Sequence, residues 1–248
     1  MNRFCFALLL SAALLQTSAA LADPPPTPTP EASRADIMGL RLGMSLAEIK
    51  PIMEAAVPGI QVKLEESSWP DGTRYVSKIT GNWNIPNKNN PSVISRGELL
   101  TVFLTAPASG NKSFWITRQA AFFDGQEISK EATIQALVAK YGKQADIGRG
   151  GIDYKWAYGA LNAYADSEQY WKSFGECVNE RFSSNCPDAH LTITASPAMV
   201  PTLLSSLYMA LKDNKYGLAS LRYDQQMRTA AQKMAEEKAG KVAGAPHL

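Results

Sequence analysis

Phe4 to Leu15 is an apolar run too short to cross a bilayer, preceded by the positive start Met1-Asn2-Arg3 and followed by Ala20-Leu21-Ala22 before Asp23. That is the layout of a secretory signal peptide with an A-x-A cleavage site, so residues 1–22 are expected to be removed. The feature constrains everything after it. The mature chain, cut after Ala22, must fold in an exported and oxidising compartment, periplasmic or secreted. No other stretch reaches the roughly 18 consecutive apolar residues that a membrane helix needs, so no transmembrane segment is predicted. Cys5 lies inside the apolar run rather than just after the cut, which predicts no lipid anchor.

Charge narrows the partners. The 248-residue chain carries 25 Lys and Arg against 23 Asp and Glu, and Arg3 leaves with the signal. A balance this near neutrality gives no reason to expect nucleic acid or an anionic membrane surface as a partner. The remaining length is enough for one large domain or two small ones with a proper core.

Cys177 and Cys186 are the cysteines of the mature chain, set in a polar segment. In an oxidising compartment their simplest role is a disulfide that staples a small loop for ~3 kcal/mol. The alternatives are a metal site or a redox pair. A metal site needs three or four ligands, and the histidines available are His190 and His247. A redox pair would be spaced Cys-x-x-Cys. No metal and no cofactor are therefore expected.

Residues 23–35 contain Pro24, Pro25, Pro26, Pro28 and Pro30, and read as a disordered polyproline-type tether. Ser45 with Glu48 forms a capping box, Met44 and Ile49 occupy the staple positions, and Ile49, Ile52, Met53 and Ala56 mark an apolar helical face. Pro51 predicts a kink or a short helix, ended by Pro58-Gly59. Strands are expected at Ile60 to Glu65 and at Arg74 to Thr80, either side of Pro70-Asp71-Gly72. Asn82 to Arg96 reads as an asparagine-rich loop holding Trp83. Leu99 to Thr105 and Phe114 to Phe123 read as neighbouring antiparallel strands. A second helix, capped by Ser129, runs to about Tyr141 with Gly142 placed to end it. Tyr154, Trp156 and Tyr158 alternate along a strand, as do Leu191, Ile193 and Ala195. Leu203 to Leu211 fits either a helix or a strand and is read as a strand. Ser220 to Lys238 should close the chain as a helix.

Gly43-Met44-Ser45 plus helix plus strands, and Ile128-Ser129-Lys130 plus helix plus the Tyr154 to Tyr158 strand, look like one unit used twice. Leu42-Gly43-Met44-Ser45 before a short amphipathic helix resembles the opening of SmpA/OmlA-type outer-membrane-assembly lipoprotein domains. Lys140-Tyr141-Gly142-Lys143, a gap, then Tyr154-Lys155-Trp156 is similar to a later part of that pattern. Two such units in tandem resemble the β-lactamase inhibitory proteins. The resemblance implies an α+β fold, an antiparallel sheet with helices packed on one face, in two related halves. The divisions expected are 36–125 and 126–218 for the halves, 219–240 for a C-terminal helix and 241–248 for a loose tail. The acylation cysteine of the lipoprotein members is missing here, and no functional residue carries over.

A Ser-His-acid triad would need His190, at a predicted strand start, or His247 in the tail, and there is no G-x-S-x-G elbow. Glu65-Glu66 and Glu236-Glu237 are adjacent pairs, which point to different faces and so do not form an acid/base couple. Gly148 to Gly151 lies between helix and strand, the reverse of a phosphate loop. The chain is therefore read as a non-enzyme. Trp115, Trp156 and Trp171 fit core packing. Trp69, beside Pro70-Asp71-Gly72, and Trp83 are aromatics in polar segments and are the candidate protein contacts. The function expected is recognition of an envelope protein through loops and sheet edge; the alternative is a secreted inhibitor of a lysozyme, protease or β-lactamase type of hydrolase.

Overall fold

A computed structural model describes residues 25–30, 35–141, 145–146, 154–159, 189–200 and 202–243, with backbone alone at 145–146, 154–159, 189–190 and 240–243. The signal peptide, Cys177 and Cys186, Gly142, the 148–151 glycines, Trp171 and His247 lie outside the described residues.

The fold class is α+β. Strands β1 (Gln61–Ser68), β2 (Arg74–Pro86), β3 (Ile94–Leu104) and β4 (Ser113–Phe122) form a meander, and β6 (Ala145–Asp146), β7 (Tyr154–Gly159), β8 (Ala189–Pro197) and β9 (Leu203–Asp213) form another. The two join through β4 and β9, giving one antiparallel sheet in the order β1-β2-β3-β4-β9-β8-β7-β6, with the short β5 (Ile128–Ser129) on the start of β9. Helix α1 (Leu46–Ala56) precedes the first meander and α2 (Lys130–Tyr141) the second; α3 (Asn214–Ala243) closes the chain. Just before α1, Ser45 bridges to Lys112 beside β4, and just before α2, Ser129 pairs with Leu203 of β9.

Register sorts the two faces of the sheet. Ile79, Val102, Ile116, Leu211 and Leu191 face one another across five strands. All are buried, and they join Ile49 and Met53 of α1 and Leu137 of α2 in one core. A bulge at Ser77, opposite Glu65 and Glu66, changes the phase of β2 and lets Val76 share that face with Ile79. Leu191, Ile193 and Ala195 alternate inward as their pattern predicts. Leu203 to Leu211 is indeed strand.

Helix α1 starts as its sequence foretells. The Ser45 N–H and hydroxyl both donate to Glu48 Oε2, at 2.7 and 2.6 Å, completing the capping box. Those two bonds hold the Glu48 carboxyl below its ordinary range. Pro51 stays inside an eleven-residue helix. At α2, Ser129 Oγ accepts the Ala132 N–H at 3.2 Å.

Three readings need correction. The strand expected to end at Thr80 runs on to Pro86, so Trp83 sits on β2 and the Asn82–Arg96 segment is mostly strand, with only 87–93 as connection. Residues 25–30 of the proline-rich stretch lie against the body: the Thr29 N–H donates to Asp213 Oδ2 at 2.6 Å. Helix α3 begins at Asn214 rather than Ser220, because Asp213 Oδ1 accepts the Tyr216 N–H at 2.8 Å and so caps it.

Candidate functional site

The sheet has two unlike ends. At the end where β3 passes to β4, a short 3-10 turn, Pro107–Ser109, is clamped by α3. Asp224 of α3 accepts the Ala106 and Ser109 N–H groups, both at 2.9 Å. Trp69 stands at this end too, in the β1–β2 turn. Its ring meets Tyr75 edge-on at 6.4 Å, and the Arg228 guanidinium of α3 lies 4.9 Å from its centre. The indole is thus engaged from both sides by its own chain.

The opposite end carries the β2–β3 connection, the segment after β4 and the β8–β9 turn. The connection is ordered by side-chain turns: Asn87 Oδ1 accepts the Asn89 and Asn90 N–H groups at 2.7 and 3.0 Å. Asn87 Nδ2 and Ser95 Oγ both donate to Asp124 Oδ2, tying the connection to the end of β4. Around this polar frame large apolar side chains face solvent. Ile85, Val93, Ile94 and Phe123 are each 40–45 % exposed, Val200 is 52 % exposed, and Met199 is fully exposed at the β8–β9 turn. Six of the eleven exposed large apolar residues among those described are therefore gathered at one end. Gathered in this way they differ from the scattered single apolar residues common on any surface.

Trp83 belongs to the same end of β2 but turns toward the core face. It packs against the core, with the Arg96 guanidinium 5.8 Å from its ring centre. Between Trp83 and Ala120, Glu98 is almost wholly buried, and Arg118 grips it with two bonds, Nε to Oε2 at 2.9 Å and Nη2 to Oε1 at 2.8 Å. A fork of this kind compensates the desolvation of both charges. Trp69 and Trp83 therefore occupy opposite ends of β2, and the fold does not bring them onto one surface.

The far face of the sheet, away from the core, has its own register. Lys78, Phe103, Trp115 and Lys212 form one row; Thr80, Thr101, Thr117, Ala210 and Thr192 form the next. Phe103 stacks on Trp115 at 4.6 Å, and Lys212 Nζ lies 5.2 Å from the Trp115 ring centre. Burial lowers the Lys212 ammonium to a pKa of about 8. Two depressions mark this face. One, of about 600 Å³, is bounded by Ile94, Leu99, Ala121, Phe123 and Tyr208. The other, of about 520 Å³, is bounded by Lys78, Thr101, Trp115, Thr117 and Thr194. They meet at Gln119 and Tyr208.

His190 occupies the second residue of β8, opposite Lys212 and Gly159. Among the described residues, no three His, Cys, Asp or Glu side chains come together as a metal site would require, and no helix is long and apolar enough to cross a membrane.

Sequence reasoning passed over Val93, Ile94, Phe123, Met199 and Val200. Their signal lies in their setting: apolar residues beside turn formers, as in Pro91-Ser92-Val93-Ile94, Phe123-Asp124-Gly125 and Met199-Val200-Pro201. Residues so placed seldom enter a core.

No family model matches the chain, and no curated protein or solved structure matches it.

Proposed function

We propose that this chain is an exported, non-enzymatic binding protein that recognises a protein of the cell envelope through the open end of its sheet. The observation that carries the reading is the apolar rim of Ile85, Val93, Ile94, Phe123, Met199 and Val200 around an ordered polar loop. An apolar centre with a hydrogen-bonded polar surround is the anatomy of a protein contact. The β1 edge suits recognition less well. Lys63, Glu65 and Glu66 charge it and a bulge interrupts its pairing, which discourages addition of another strand. The reading includes cleavage after Ala22, residence in the periplasm or outside the cell, and a Cys177–Cys186 bridge. It also treats the chain as two related helix-and-meander halves of the kind the tandem lipoprotein-domain resemblance implies. The sheet order, mirrored about the β4–β9 seam, supports that part.

Photo-crosslinking in the native envelope tests it, with the probe placed in turn at Met199 and Val93. Capture of an envelope protein from both positions, lost in the Val93→Asp and Met199→Asp variants and kept in Trp69→Ala, is the expected outcome. Capture of one hydrolase whose rate falls at stoichiometric amounts would replace this reading by that of a secreted inhibitor. Absence of any captured protein would overturn both.

A further inference from the structure

We propose that the far face of the sheet binds a long-chain amphiphile with a small anionic head, held along β4 between β3 and β9. The groove shares Ile94 and Phe123 with the rim and otherwise uses a different surface, so the inference stands independently of the protein-contact reading.

The two depressions are contiguous, and each lies in the volume range of small-molecule sites, roughly 300–1,000 Å³. Their floor is mid-sheet. β4 is paired to β3 on one side and to β9 on the other, so its backbone has no free ladder to offer a peptide. A ligand here is recognised by side chains alone. From Trp115 to Ala121 the site follows seven residues of β4, roughly 20 Å at strand rise, which calls for an elongated molecule.

Chemistry changes along that length. The part next to the rim is bounded by Ile94, Leu99, Ala121 and Phe123 and suits a hydrocarbon chain. The part beyond Gln119 and Tyr208 presents the Thr101, Thr117 and Thr194 hydroxyls, with Lys78 as the one charged side chain among the described residues that bound it. Glu98 borders the apolar part, but its carboxylate is held by Arg118 on the core side. Among the described residues no carboxylate lines the hydroxyl end, and Glu65 comes near it as the partner of Lys78. Lys78 is paired with Glu65 at 2.9 Å, a partly exposed ion pair of little net strength that leaves the ammonium able to serve a second anion. The apolar part ends at Ile94 and Phe123, both exposed at the rim, so the chain terminus would emerge among apolar side chains.

The test is titration of the purified mature protein with palmitate and with hexadecanol, which share a chain and differ in the head. Saturable palmitate binding is expected at one site per protein. Ala121→Trp should weaken both ligands by about tenfold or more, and Ala121→Leu should do so to a lesser degree if the larger ring disturbs the fold. Lys78→Met should weaken palmitate several-fold and leave hexadecanol unchanged. Palmitate that does not bind the parent protein, or binds Ala121→Trp and Ala121→Leu as well as it binds the parent, overturns the proposal. Equal loss of both ligands in Lys78→Met overturns the anionic head. Val93→Asp and Met199→Asp serve as the control: loss of protein capture with palmitate affinity intact would separate the rim from the groove.

Discussion

Gly81 lies beneath Met53 of α1 and Ile60, just past that helix. A Cβ there would lie 2.6 Å from Ile60 Cδ1 and 2.7 Å from Met53 Cε, nearer than packed carbons tolerate. Both atoms are the tips of flexible side chains that can turn aside, so Gly81→Ala should lower stability by no more than about 1 kcal/mol, read as a fall in the denaturation midpoint at constant slope. Lys212 offers a different probe. Its folded pKa of about 8 is below its ordinary 10.5, so between those values the unfolded chain holds the proton that the folded chain has released. Stability must then rise with pH across that window and not below it. Lys212→Met should abolish the rise, which is on the order of 2–3 kcal/mol, when urea denaturation is compared at the two ends of the window. Glu98→Gln should cost about 3–5 kcal/mol, because it leaves Arg118 without its counter-charge inside the sheet. Glu98→Leu combined with Arg118→Met should cost much less, and equal losses would show that the charge itself is not the issue.

The elements differ in how plainly the sequence announces them. Leu191, Ile193 and Ala195 alternate without interruption, and Ser45 with Glu48 forms a local cap, so β8 and α1 could be read from short windows. The far half of β2 could not. Asn82 and Asn84 carry turn chemistry by composition, yet they occupy far-face positions while Gly81 and Trp83 face the core. A half-buried strand and a polar loop look alike when the exposed positions are all asparagine. The start of α3 was hidden similarly, since its cap, Asp213, is also the last residue of β9 and Gly217 follows in the first turn. Asp224 then makes α3 part of the body by accepting two N–H groups from the β3–β4 connection. Asp224→Ala should cost roughly 2 kcal/mol or more and speed amide exchange at Ala106 and Ser109 before the rest of the sheet opens.

At the scale of the molecule, one end is sealed by a helix and the other is left to the solvent. The sealed end owes its closure to Arg228, Asp224 and Trp69, residues whose substitution should be felt in stability. The open end owes less to packing: Met199→Asp should shift stability by no more than about 0.5 kcal/mol and the half-buried Val93→Asp by about 1 kcal/mol, which thermal unfolding can check, while both remove the proposed partner. Neither the rim nor the groove was legible in the chain, because each is assembled from segments far apart in sequence. Ile94, Phe123 and Met199 come to one end only once β3, β4 and β9 have been placed, and Lys78, Thr117 and Thr194 bound one depression only in that same register.

The position of β9 has a consequence for the order of events in synthesis. The last strand to be made lies in the middle of the sheet, against β4. As the chain leaves the ribosome, β4 is born as an unpaired edge, and the stretch from Phe122 to Leu203 must be added before its mate arrives. At typical elongation rates that is on the order of ten seconds during which an apolar edge is open to any neighbouring chain. A nascent protein of this topology depends on something else, a holdase or prompt delivery across a membrane, to keep the seam free until its own strand can close it.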